Sequence, residues 1–182
     1  MRRALIALAV LAATGLVAAT GVANSGSVSD PRNDLWAQPT SGGSARLDIV
    51  RATLGHTSNG RLVHTVTLAG AAENPASGGK VPLLYIEDPA RPNGGTSLCR
   101  YFVGVHEGKL GVFTCGYADR VASATIRRTS SNTVRYEFKA SAIDNPSTYD
   151  WAFVTRGITA GTEAELDRLP DGGENFLTHK LR

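Results

Sequence analysis

The sequence predicts an antiparallel two-sheet β-sandwich of about nine strands with one short helix before the last strand. Three observations carry that prediction. Apolar residues recur with period two in short runs from residue 45 onward. Clusters of Gly, Ser, Asn, Asp and Pro interrupt those runs at intervals typical of hairpin connections. The chain's two cysteines also fall where a hairpin register would bring them face to face.

The first hairpin can be derived. Val50, Ala52 and Leu54 alternate on one strand, and Leu62, His64, Val66 and Leu68 on the next. A three-residue loop Ser58-Asn59-Gly60, with glycine in the left-handed position, pairs residue 57 with 61. Val50 then faces Leu68, Ala52 faces Val66 and Leu54 faces His64, with both apolar sets on one side. A two-residue Asn59-Gly60 turn would put them on opposite sides of the sheet, and is rejected for that reason.

Residues 69–80 read as a loop, 81–87 as a central strand and 88–95 as a second loop. The next hairpin takes His106-Glu107-Gly108 as its loop. Val105 then pairs with Lys109, Val103 with Gly111, Tyr101 with Phe113, and Cys99 with Cys115. Directly opposed cysteines have the separation a disulfide needs. A bridge closing about 15 residues stabilises by about 3 kcal/mol in the chain-entropy model. The alternative is a redox-active pair, for which Cys-x-x-Cys is the usual spacing.

Further along, Ala122, Ala124 and Ile126 point inward, as do Val134, Tyr136 and Phe138. Thr125, Arg127, Arg135, Glu137 and Lys139 form their solvated outer face. Tyr149, Trp151 and Phe153 share one face of another strand, which reads as core rather than as a sugar platform. Thr162-x-x-Glu165 has the form of a capping box and predicts a two-turn helix ended by Pro170. Residues 176–181 read as the last strand.

The amino terminus sets the compartment. Arg2-Arg3 precedes an uncharged, Ala/Leu-rich run, and Gly21-Val22-Ala23 places small residues at −3 and −1. Residues 1–23 are therefore expected to be a cleavable secretory signal, with cleavage after Ala19 as the alternative site and a retained membrane anchor as the competing reading. Residues 24–44 are expected to be a Gly/Ser-rich, loosely held lead-in, with Leu35-Trp36 able to dock. Residues 45–182 are expected to be one domain. The expected product is secreted and extracellular, where paired cysteines oxidise. Removing Arg2 and Arg3 from 19 basic residues leaves 17 against 16 acidic ones. A near-neutral chain without a basic patch is not a nucleic-acid binder.

Several short motifs resemble a known style of domain. Asp30-Pro31-Arg32-Asn33-Asp34 followed by Leu47-Asp48-Ile49 resembles the opening of small exported β-sandwich domains common in actinobacteria. These are similar to the DOMON and family 9 carbohydrate-binding-module fold. Residues 84–88, 143–146 with Trp151, and 167–173 fit the same style. Asn33 stands where that pattern usually has Gly, and Glu87-Asp88 displaces its central-strand Asp. The resemblance implies a non-catalytic sandwich with sugar, haem or simple stabilisation as its use.

Candidate sites follow from side-chain chemistry. Asp30, Asp34 and Asp48 are hard oxygen donors close in sequence, suited to Ca²⁺, and Asp167 and Asp171 join if the carboxy-terminal loop lies beside them. His56 and His64 share a hairpin face, but zinc needs a third ligand that the sequence does not reveal. Haem would need an axial His or Met, and the only methionine is Met1. Trp36 and Tyr117 are the candidate aromatic platforms for a glycan, within an aromatic content of 7%. No Gly-x-Ser-x-Gly, His-Glu-x-x-His or phosphate-loop motif occurs. Glu87 and Asp88 are adjacent, so on a strand they diverge and cannot face each other as an acid pair.

The preferred expectation is a secreted, non-enzymatic binding or accessory domain, its partner an extracellular glycan or protein. A secreted hydrolase with a site assembled only in space and a structural envelope domain are the alternatives.

Overall fold

The computed structural model describes residues 22–37, 39–40, 44–87, 99–171 and 176–181. Among the described residues twelve strands form two antiparallel sheets. Three short 3-10 turns, at Ser44–Arg46, Pro75–Ser77 and Ala140–Ile143, are the only helical pieces among the described residues. The smaller sheet runs β1 (Val22–Ser29), β2 (Ile49–Thr57), β3 (Arg61–Leu68), β9 (Thr133–Lys139), β8 (Thr125–Arg128). The larger runs β11 (Thr162–Leu169), β10 (Thr148–Thr159), β4 (Leu83–Glu87), β5 (Tyr101–His106), β6 (Lys109–Thr114), β7 (Arg120–Ala122). β12 (Leu177–Lys180) pairs with the first part of β10, and β11 with its later part.

The sandwich class is as expected, but the count is twelve rather than nine. Three strands account for the difference. β1 is built from small and polar residues with no apolar alternation. The stretch read as one strand around Ala124 is two, because the chain leaves the larger sheet after β7 and enters the smaller one at β8. The expected helix at Thr162 is β11. Ala160 and Gly161 both take positive φ, 49° and 82°, and turn the chain back as a two-residue hairpin onto β10. That pairing overrides the local capping-box signal.

The first hairpin keeps its predicted register at Ala52–Val66 and Leu54–His64. A bulge between Ile49 and Arg51 then places Ile49, not Val50, opposite Leu68. A bulge advances the strand by one residue, so Ile49 becomes the fully buried one.

The second hairpin is shifted by one. Its loop is two residues, Glu107-Gly108, with φ of 48° and 72°, and His106 pairs with Lys109. Two left-handed residues match the twist of the flanking strands better than the expected three-residue loop. Val103 now faces Val112 inside the sandwich, while Phe102 stacks on Phe113 across the outer face at 5.0 Å. Cys99 and Cys115 still bridge, with Cα atoms 5.8 Å apart, but not as direct partners: Cys99 lies before β5, and the Cys115 amide donates to the Arg100 carbonyl.

Tyr149, Trp151 and Phe153 are fully buried between the sheets, as the period-two pattern implied, against Val134, Tyr136 and Phe138. The expected lead-in is partly ordered structure. β1 lies along β2, and the amides of Trp36 and Thr40 donate to Leu166 and Ile158 carbonyls of the larger sheet. The expected signal residues through Gly21 lie outside the described residues, and Val22-Ala23 begin β1. Among the described residues no helix is long and apolar enough to cross a membrane.

Candidate metal centre

Five aspartates named from the sequence meet at one place. Asp30 follows β1, Asp34 lies on the segment between β1 and β2, and Asp48 immediately precedes β2. Asp167 is on β11 and Asp171 just beyond it. Oxygens of Asp34, Asp48 and Asp167 lie within 4.8 Å of one another, and so do those of Asp30, Asp167 and Asp171. Asp167 belongs to both groups.

The backbone explains how they are held. The Asp30 amide donates to the Val50 carbonyl at 3.0 Å, fixing where the chain leaves β1. Asn33 has φ of 64°, a left-handed conformation that Gly and Asn tolerate best. That turn aims the Asn33 amide at Asp48 Oδ2, 2.9 Å away. Asp167 accepts from the Ile49 amide at 2.5 Å and from the Arg168 amide at 2.8 Å. The Ile49 bond crosses from the smaller sheet to the larger one. Thr155 adds a second crossing, its hydroxyl donating to the Leu47 carbonyl at 2.6 Å.

These contacts leave oxygens unused. Asp48 is 1% exposed, and its Oδ1 is buried without a hydrogen-bond partner. Asp30 Oδ2 and Asp34 Oδ1 are likewise shielded and unpartnered. Burial, then the hydrogen bond that protonated Asp30 donates to Asp171 and the charges of Asp171, Asp167 and Asp34, push the Asp30 carboxyl up to about 8. Burial pushes Asp167 up to about 7 against two backbone donors that favour its ionised form. Burial also raises Asp34, with the charges of Asp171 and Asp48 adding to it. The site therefore crowds carboxyl groups where water cannot solvate their charge, so they hold protons more tightly than usual, and a cation would favour their ionised forms.

A second polar cluster lies deeper between the sheets. His64 is fully buried on β3, and its Nε2 shares a hydrogen bond with the Tyr149 hydroxyl at 2.7 Å. Phe138, Trp151 and Phe153 pack around the imidazole with ring centroids 5.3–6.2 Å away. His179 on β12 meets the other side of Tyr149 at 5.4 Å. Burial and then the charge of His179 depress the His64 imidazole to about 3, and burial and His56 lower His179. His179 is the third histidine the sequence did not place beside the hairpin pair. β12 reaches it by pairing with β10, Tyr149 opposite His179, and no local pattern signals that contact. The ring nitrogens do not converge into a ligand set: among the described residues only the aspartates form groups of three.

The aromatic candidates do not share a surface. Trp36 is 47% exposed beside β11, and Tyr117 is 89% exposed in the turn between β6 and β7. From β11 to β6 there are four strand spacings, about 19 Å at about 4.8 Å each. Trp151 is wholly buried and has no face for a ligand. A groove of about 620 Å³ lies on the outer face of the larger sheet, lined by Leu83, Tyr85, Phe102, His106, Arg156 and Glu163 and flanked by the disulfide. Asp88 of the adjacent acid pair lies outside the described residues. No family model, curated protein or solved structure matches the chain.

Proposed function

We propose that this chain is an exported, non-catalytic β-sandwich that binds calcium through Asp34, Asp48 and Asp167, with Asp30 and Asp171 completing the site, and serves as a binding or accessory domain outside the cell. The observation that carries the metal reading is Asp48. It is a buried carboxylate with one oxygen spent on Asn33 and the other unpartnered, facing two more acids. Burying such an oxygen without a partner costs several kcal/mol, which a cation offsets.

The donor chemistry selects the metal. All five groups are carboxylates, with no thiolate or imidazole among them, which suits a hard cation. Their irregular spacing fits the six to eight flexible oxygen contacts of Ca²⁺ better than the strict octahedron of Mg²⁺. Export is supported by the basic-then-apolar amino terminus and by the cysteine bridge. The likeness to exported DOMON-type sandwiches rests on the sequence motifs alone.

Titration calorimetry and thermal melts test the reading. Extracellular calcium modules bind at about 10⁻⁴–10⁻³ M. With calcium at about a hundredfold over its dissociation constant, stability rises by about 2.7 kcal/mol. For a chain of this size that raises Tm by about 5–10 °C, and EGTA reverses it. No binding heat, together with a melt indifferent to calcium and EGTA, would remove the metal from the reading.

A further inference from the structure

We propose that the cation acts as a clasp: its binding fixes the segment joining β1 to β2 onto β11, and its loss frees that segment, with β1, from the rest of the sandwich. This inference rests on the calcium reading above.

The ligands come from two parts of the chain joined otherwise by β1–β2 pairing and isolated hydrogen bonds rather than by a packed core. Asp30 and Asp34 sit on the joining segment, while Asp48 is rooted at the start of β2 and Asp167 within β11. Asp48 and Asp167 are buried and held by backbone amides of their surroundings. The segment itself is different. Of its described residues from 26 to 40, none has a buried side chain, and only Val28 packs against the core. Hydrophobic burial, the main force holding the other strands, is therefore nearly absent here.

What remains is backbone pairing and charge. β1 pairs with β2, but the register breaks between Ala23 and Gly26. Beyond β1, the amides of Asp30, Trp36 and Thr40 each make one bond to a neighbouring strand. Such bonds are exchanged with water at little net cost when the backbone is this exposed. Oxygens of Asp30 and Asp34 on the segment and of Asp48, Asp167 and Asp171 on the sandwich lie close enough to hold one cation between them. A bound cation therefore adds contacts from both sides that the empty site lacks. Departure of β1 would leave the amides and carbonyls of β2 as an open sheet edge.

The test uses the full chain. Arg32 is exposed and lies between Asp30 and Asp34 in the chain, so trypsin cleavage after it reports opening of the segment. If only the closed form binds calcium, opening falls by the factor by which calcium exceeds its dissociation constant. With calcium about tenfold or more in excess, cleavage after Arg32 is expected to slow about tenfold relative to EGTA. Hydrogen exchange at the Asp30 and Trp36 amides should slow in parallel. In EGTA those amides should exchange far faster than Val103 in the core, because the segment opens without global unfolding. Asp48→Asn should abolish the calcium effect on Arg32. Should that variant misfold, Asp34→Asn serves the same purpose, and the wild-type comparison needs no variant. Calcium binding by calorimetry with unchanged cleavage and exchange overturns the clasp and leaves the metal reading standing. Absence of calcium binding overturns both.

Discussion

The aspartate cluster and the histidine cluster bury unpartnered polar atoms in the same sandwich, yet they solve the problem in opposite ways. Around His64 the surroundings are aromatic, the imidazole is neutral, and one hydroxyl satisfies one nitrogen. Its Nδ1 stays buried without a partner, a cost that is smaller for a neutral nitrogen than for a charged one. Around Asp48 the surroundings are a backbone amide and other carboxyl groups, so full ionisation is costly and the fitting partner is a cation from outside. A polar group between two sheets can thus be stabilised by remaining uncharged or by recruiting an opposite charge. The ring of neighbours decides which.

The largest expected effect tests the neutral solution by forcing a proton onto it. His64 ordinarily titrates near 6.5 and is held at about 3 when folded. Between those values the unfolded chain binds the proton and the folded one does not, so stability falls as pH drops below 6.5. Each pH unit costs up to about 1.4 kcal/mol, or about 3 kcal/mol by pH 4.5. Denaturant melts of wild type and His64→Leu in EGTA isolate this, because the difference between them should change with pH while other groups cancel. A difference that stays flat from pH 7 to 4.5 would place the charge-sensitive group elsewhere.

Next in size is the charged solution. Asp48→Asn should erase the gain of about 2–3 kcal/mol that calcium confers, while in EGTA the variant should match or exceed wild type, since one repelling charge is gone. Melts in both conditions read the crossover, and a variant equally weakened in both would make Asp48 a packing residue rather than a ligand. Smallest is Tyr149→Phe, which strips His64 of its partner and keeps the ring. A loss of about 1–3 kcal/mol is expected, the same with and without calcium. A calcium-dependent loss would mean that the two clusters are coupled.

The two clusters also differ in how far the sequence exposed them. All five aspartates were named from local cues, because loop acids near strand ends declare their chemistry in the residue type. The conditional element, whether residues 167–171 lie beside 30–48, was a question of topology, answered here by β11 pairing at the edge of β10. The histidine cluster was half legible: the Ser58-Asn59-Gly60 loop fixed Leu54 opposite His64, but His179 arrives on β12 through a pairing no short-range pattern encodes. Where the reading failed, a local rule met a competing turn. Thr162-x-x-Glu165 satisfies a helix cap, yet Gly161 supplies one left-handed turn position ahead of it, and β-branched Ile158, Thr159 and Thr162 flank the turn with strand formers. At Glu107-Gly108 the same choice between two- and three-residue loops shifted every partner by one.

The bond from the Ile49 amide to Asp167 spans 118 residues of chain. Synthesis proceeds from the amino terminus, so Asp30, Asp34 and Asp48 wait for Asp167, made 118 residues after Ile49, and for Asp171 beyond it. Contacts of such long range close slowly. The acidic centre is therefore among the final parts of the molecule to assemble, and a chain that holds it has already aligned both sheets.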